Sequence, residues 1–360
     1  MRLRSRPALL LACCAALVLT SAGAQIAPEL APQQFAQLGA ITLENKAVIE
    51  QCAIGYRTIG KLNAQRSNAV VVLTWHTGKS ADLLSMLGPK GLFDPTPYYV
   101  VLIDAIGNGV SCSPSNSTSQ HGTDFPVFSI GDMVGAQHRL LTERLNLPHV
   151  RAVMGYSMGG MQTFQWMVSH PDYMDVVIAL SGTPRMSSSD LLFWRTEELL
   201  MQGDPDYANG KYASNPPLAA LQLVFAMNFT TAAHRNAATK PEELDKFIAE
   251  TIAFDPAMAD ANDWRWQTRA MLAHDIGAGL AGPGDASKPS LALAAAKVRA
   301  RVHVVVARQD HLVNPQAALD FAKLLKAPST VLEGDCGHLA VNCEMPKVRA
   351  VVERALKASR

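Results

Sequence analysis

Short apolar runs alternate with helically spaced segments along most of the chain. Asn68 to Trp75, Tyr98 to Ile106, Val150 to Tyr156, Val176 to Leu180 and Val302 to Ala307 are dense in β-branched and aliphatic residues. That pattern suits strands buried on both faces of a parallel sheet. A further strand is expected at Ser329 to Glu333, and Ile41 to Leu43 with Ala47 to Tyr56 read as opening antiparallel strands. Helical spacing fills the intervals: Ile130 to Leu145 with Asp132 near its start, Met158 to Ser169 closed by His170-Pro171, Pro315 to Leu325, and Met345 to Leu356. Strands alternating with helices predict a mostly parallel sheet covered on both faces.

From about Thr183 to Ser290 the strand-like runs disappear. Leu, Met, Trp and Phe recur at helical spacing there, broken by Pro216-Pro217 and Gly282-Pro283-Gly284. This predicts an inserted helical cap over 183–290, dividing an α/β core into 25–182 and 291–360. Met201, Met227, Met258, Trp264, Trp266 and Met271 within it read as core positions, with an apolar acyl tunnel as the sharper alternative.

The first 24 residues stand apart. Arg2, Arg4 and Arg6 precede an apolar run from Ala8 to Leu19, and Ala22-Gly23-Ala24 offers small residues for cleavage. This is the pattern of a secretory leader cut after Ala24, and the run is well short of the roughly 20 residues that span a bilayer. A periplasmic or secreted protein without a stable membrane anchor is expected. The chain carries 32 basic and 31 acidic side chains for a net charge of +1, so losing the three leader arginines leaves −2. That balance offers no electrostatic footprint for nucleic acid. Hydrophobic residues at 48% and charged residues at 18% place the chain among ordinary globular proteins rather than disordered ones. Without Cys13 and Cys14 of the leader, four cysteines remain, an even number suited to an oxidising compartment. Cys336 and Cys343 flank His338 closely and are expected to pair, leaving Cys52 with Cys112.

The candidate chemistry centres on Gly155-Tyr156-Ser157-Met158-Gly159. A G-x-S-x-G segment between a strand and a helix is a sharp turn that lifts the serine hydroxyl above the sheet, and its glycines avoid crowding. Ser157 is thus the expected nucleophile. A serine hydroxyl needs a base, and in such a fold the acid and then the histidine follow the serine in the chain. Asp310 and His338 each lie just past a strand, at the carboxyl ends where sites of open α/β sheets are built. Asp310 is expected to hold the imidazole and His338 to act as base and then acid. Asp335, His303 and His311 are the rivals. The oxyanion is expected to be held by the backbone N–H groups of Met158 and His76, the latter in Trp75-His76-Thr77-Gly78. The histidines show no metal-ligand spacing, and no metal or cofactor is implied.

Three stretches carry a resemblance to a family. The elbow continues as Ser157-Met158-Gly159-Gly160-Met161-Gln162, the preceding helix holds Asp132-Met133-Val134 with Ala136-Gln137, and Asp260-Ala261-Asn262-Asp263 is followed by Thr268-Arg269-Ala270-Met271. From about Gly39 to the C-terminus the chain resembles the homoserine O-acetyltransferase branch of the α/β-hydrolase superfamily. The resemblance implies an α/β-hydrolase fold with an inserted cap and acyl chemistry through a serine. Two positions depart from that branch: Leu339 stands where an aspartate usually follows the histidine, and Thr230 follows Phe229 where an arginine is expected. Both changes remove charges that a zwitterionic amino acid would pair with. The expected activity is therefore hydrolysis of small or medium acyl esters, small molecules needing no macromolecular partner. An O-acyltransferase is the alternative, and a non-catalytic binding protein on the same fold is the second; a homodimer is an assembly this reading allows.

Overall fold

The computed structural model describes residues 26–253, 259–282 and 285–357. The leader, its cleavage after Ala24, and Met258 lie outside the described residues.

Eight strands form one sheet in the order β1-β2-β4-β3-β5-β6-β9-β10. β1 (Gln34–Thr42) and β2 (Val48–Ile59) pair antiparallel, and β2 runs antiparallel to β4 (Tyr99–Ile103). From β4 the sheet is parallel through β3 (Ala69–Leu73), β5 (Val150–Tyr156), β6 (Met174–Leu180), β9 (Arg301–Ala307) and β10 (Ser329–Leu332). All five residues of β3 are buried, as a strand sandwiched between helical layers requires. β1 instead alternates buried and exposed positions, the mark of a sheet margin with one wet face. The helices of the core are α1 (Ser80–Leu83), α2 (Ile130–Arg139) and α3 (Met158–Ser169). α2 ends earlier than its apolar spacing suggests, because Leu140–Arg144 widens into a π-helical turn.

Between β6 and β9 come α4 (Ser188–Gly203), α5 (Ala219–Phe229), α6 (Ala232–Ala238), α7 (Leu244–Ile252), α8 (Ala261–Leu272), a two-stranded ribbon of β7 (Ala281–Gly282) and β8 (Asp285–Pro289), and α9 (Leu291–Lys297). The ribbon has no counterpart in the sequence pattern, since a two-residue strand presents no alternation to read. α10 (Gln316–Leu325), α11 (Ala340–Cys343) and α12 (Met345–Lys357) complete the chain. Met201, Trp266 and Met271 are buried, as core positions would be, whereas Met227 is 71% exposed. No helix among the described residues is long and apolar enough to cross a membrane.

A chain of buried amides explains two residues of the motif that carried the resemblance. Gln137 of α2 donates to Gln162 Oε1 of α3 at 2.5 Å and accepts from the Trp166 indole at 2.8 Å, while Gln162 donates to the Thr74 carbonyl at 2.9 Å. Buried amides must be paired, and here the pairing fixes the helix behind the elbow against the end of β3.

Cys52 is joined to Cys112, and Cys336 to Cys343. The first bridge closes a loop 60 residues apart in sequence and the second one of 7. On the loop-closure argument the long bridge stabilises by about 4 kcal/mol and the short one by about 2. Replacing Cys52 and Cys112 by alanine should therefore lower the urea midpoint more than replacing Cys336 and Cys343; equal midpoints would refute the ranking.

Glu197 of α4 is fully buried, and neither carboxylate oxygen finds a hydrogen-bond partner among the described residues. The Trp264 indole N–H lines the same crevice outside regular hydrogen-bond geometry and offsets only part of the burial. Burial pushes the Glu197 carboxyl well above the usual range, so the folded protein keeps a proton that the unfolded chain releases above about pH 4.3. Because the folded state binds the extra proton, stability falls as pH rises from there toward the raised native value. Glu197→Gln should flatten that part of the stability curve, read from urea midpoints between pH 4 and pH 8; an unchanged slope would show that Glu197 is not its source.

Candidate active site

The turn between β5 and α3 is the sharpest feature at the carboxyl edge of the sheet. Ser157 has φ 59° and ψ −122°, a conformation that L side chains rarely adopt. Such strain persists only where the surroundings impose it. Here a Cβ on Gly155 would sit 2.3 Å from the Gly159 carbonyl oxygen, and one on Gly159 would sit 2.5 Å from the Leu73 oxygen. The Ser157 N–H is tied to the Leu180 carbonyl of β6 at 2.9 Å.

His338 follows β10 on a single 3-10 turn, Gly337–Leu339. Its Nε2 lies 2.9 Å from Ser157 Oγ and its Nδ1 2.7 Å from Asp310 Oδ2. The Asp310 and His338 side chains are almost wholly buried, which strengthens their charge-assisted bond. Asp310 Oδ1 accepts the N–H groups of Leu312 and Val313, both at 2.9 Å, so the carboxylate cannot rotate away. Tyr156 stacks on the imidazole and donates its hydroxyl to the His338 carbonyl at 2.6 Å. Ser157, His338 and Asp310 thus meet in one line. The rivals do not join it: Asp335 is half-exposed and faces His234 at 3.4 Å, His311 is exposed, and His303 lies within β9.

Helix α4 braces the loop that follows Asp310. Asp190, third in a capping box begun by Ser187, accepts the Asn314 N–H at 2.7 Å, and the Trp194 indole donates to the Leu312 carbonyl at 3.2 Å. The Ser187-x-x-Asp190 capping pattern is visible in the sequence, but its reach to Asn314 is not.

Met158 is the first residue of α3, where backbone N–H groups lack intrahelical partners. In the facing loop the Thr77 N–H is taken by Gln267 Oε1 at 2.7 Å and the Gly78 N–H by the Trp75 carbonyl at 3.0 Å. Among the described residues, the His76 and Met158 N–H groups donate to no protein acceptor. His234, Asp335 and Cys336 also gather ligand atoms within 4.8 Å. The Cys336 sulfur is bonded to Cys343, which removes the thiolate from that set.

The α/β hydrolase fold family matches residues 90–341. The chain belongs to the α/β-hydrolase fold family. Within that family it lies in the branch of homoserine O-acetyltransferases and esterases. It is 30% identical to a probable esterase of Corynebacterium glutamicum, covering 86% of this chain and 90% of that one. It is 29% identical to an ethyl acetate hydrolase of Pseudomonas veronii, covering 87% and 92%. A homoserine O-acetyltransferase of Bradyrhizobium diazoefficiens is also 29% identical, with 85% and 86% covered. Among solved structures, an acetylester hydrolase from Corynebacterium glutamicum superposes with a TM-score of 0.79 at 27% identity, covering 91% of this chain and 96% of that one. This α/β-hydrolase is therefore an enzyme of acyl chemistry, an esterase or an acyltransferase. Its arrangement at the sheet edge can take a proton from a hydroxyl, pass it along a fixed imidazole and leave two backbone donors free for a developing oxyanion.

Proposed function

We propose that this protein hydrolyses small esters, acetyl esters of simple alcohols foremost, with Ser157 as nucleophile. The observation that carries the reading is the continuous hydrogen-bonded line from Ser157 Oγ through His338 to Asp310 Oδ2. In the first half-reaction His338 Nε2 takes the Ser157 proton as Oγ bonds to the ester carbon. The carbonyl electrons move to the oxygen, which the N–H groups of Met158 and His76 receive. Collapse expels the alcohol, protonated by His338, and leaves an acyl-enzyme. Water then repeats the sequence and releases the acid.

The substrate class follows from what surrounds the imidazole. Phe229 lies 5.8 Å from His338, and aromatic contacts continue through Phe225 to Trp194 and Trp264, and from both to His76. That wall and the buried Leu339 present apolar surface and no charge for an amino acid's ammonium or carboxylate. The ethyl acetate and acetylester hydrolases among the relatives support the acetyl preference. The helical segment 183–290, which supplies Trp194, Phe225, Phe229 and Trp264, acts as the cap over the site. Two disulfides support export to an oxidising compartment, which is the setting that the leader pattern ending at Ala24 implies.

Acyl transfer to an alcohol is the second reading, favoured by the homoserine O-acetyltransferase relatives. One experiment separates the two: 4-nitrophenyl acetate is supplied with rising concentrations of a short alcohol, and free acetate is compared with the acetate ester of that alcohol. Hydrolysis predicts that free acetate dominates; ester as the main product would transfer the assignment to the acyltransferase, and no nitrophenol release from acetate to octanoate would reject both.

A further inference from the structure

We propose that His76 is a positioning residue whose imidazole fastens the oxyanion-binding loop to helix α8, with Thr268 and Gln267 completing the attachment. The inference rests on the ester-hydrolase reading and assigns to the His76 side chain a task separate from that of its backbone N–H.

His76 is buried, and its Nε2 lies 3.1 Å from the Trp264 carbonyl and 3.1 Å from Thr268 Oγ1. A carbonyl can only accept, so Nε2 must carry the proton, shared between the two oxygens. Burial lowers the imidazole to about 4, which keeps the ring neutral and this tautomer in place at neutral pH. The ring is wedged edge-on between Trp194 at 5.3 Å and Trp264 at 4.7 Å.

The next residue needs such an anchor. Thr77 is β-branched yet has φ +59°, a strained backbone that must be held from outside. Gln267 holds it, accepting the Thr77 N–H at 2.7 Å while donating to the Ile106 carbonyl at 3.0 Å. Side chains of α8 thus grip both residues, one on each side of the peptide that joins them. An oxyanion donor contributes only when it is aimed before the charge develops, so looseness in this loop weakens the transition state and leaves substrate binding nearly unchanged.

Three variants test this against the wild-type enzyme with 4-nitrophenyl acetate and a trifluoromethyl ketone, whose carbonyl takes up Ser157 Oγ while the proton passes to His338. His76→Leu keeps the backbone N–H and removes the anchor. It should lower kcat by about 30-fold with KM within about threefold, and weaken the ketone in step with kcat/KM, a fraction of the effect of deleting a donor outright. His76→Gln places an amide N–H near the Nε2 position and should recover most of the loss. Thr268→Val should cost about threefold to tenfold. His76→Leu with kcat within twofold of wild type, a loss that appears only in KM, or His76→Gln no better than His76→Leu would each overturn the inference while leaving the ester-hydrolase reading intact. A wild-type enzyme without esterase activity would overturn both. If His76→Leu does not fold, the His76→Gln and Thr268→Val pair carries the same test: ketone affinity unchanged in Thr268→Val would overturn the proposal.

Discussion

Ser157→Ala is expected to lower kcat for 4-nitrophenyl acetate by about 10^4- to 10^6-fold, because the acyl-enzyme has no other atom on which to form. Ser157 is the hydroxyl that the His338 imidazole faces, at 2.9 Å, and its strained backbone turns Oγ toward that ring. The variant should fold normally, since the strain is held by Gly155, Gly159 and the bond to Leu180 rather than by the hydroxyl. Residual turnover near the background rate, with an unchanged thermal midpoint, is the expected pair of measurements. Retention of more than about a hundredth of the wild-type rate would mean that the acyl group is carried elsewhere, since loss of a nucleophile costs far more than that. A fluorophosphonate should label the wild-type serine stoichiometrically and leave the variant unlabelled.

Asp310→Asn is expected to cost about 10^3- to 10^4-fold in kcat with little change in KM. The asparagine oxygen can still accept from Leu312 and Val313, as Asp310 Oδ1 does, so the loop keeps its shape. The amide nitrogen then occupies the place of Oδ2, and two donors cannot both point at each other. His338 Nδ1 must become the acceptor, which moves the ring proton to Nε2, and an Nε2 that already carries a proton cannot take one from Ser157. The neighbouring carboxylates are engaged elsewhere: Asp335 is turned toward His234 and solvent, and Asp190 accepts from Ser187 and Asn314. A rate within tenfold of wild type would show that the aspartate does not set the tautomer. Asp310→Glu is not expected to be a milder variant, because its extra methylene must be accommodated between the Leu312–Val313 turn and the buried His338 ring.

Much of this architecture was legible because its determinants are local. β5 and α3 run from Val150 to Tyr156 and from Met158 to Ser169, the bounds that apolar density and helical spacing indicate. The other strands shift by at most three residues at either end, where fraying and neighbouring loops decide the boundary, except β1, which starts at Gln34 rather than Ile41 because its mixed polar and apolar residues pair with β2 at a sheet margin and show no apolar run. Asp310 and His338 were legible for a related reason: each follows a strand end, and the carboxyl edge of a parallel sheet collects whatever follows its strands. The bracing of the site was not. Asp190 reads as a helix cap and nothing more until its second oxygen is seen to hold Asn314, 124 residues away. Gln267 reads as one polar residue among many on α8, yet it holds Thr77 across a separation of 190.

The sequence by itself determined most strands and helices of the core and the turn at Ser157, because hydrophobic period and glycine sterics act over a few residues. Only the tertiary structure decided that His338 meets Asp310 rather than Asp335, that Thr77 and Gly78 have no N–H to offer while His76 does, and that α8 holds the loop between them. Those outcomes depend on distances of about 3 Å between residues up to 192 apart in the chain. Hydrogen bonds at that range weaken steeply with small errors of angle and position, so they are settled by packing and cannot be read from spacing along the chain.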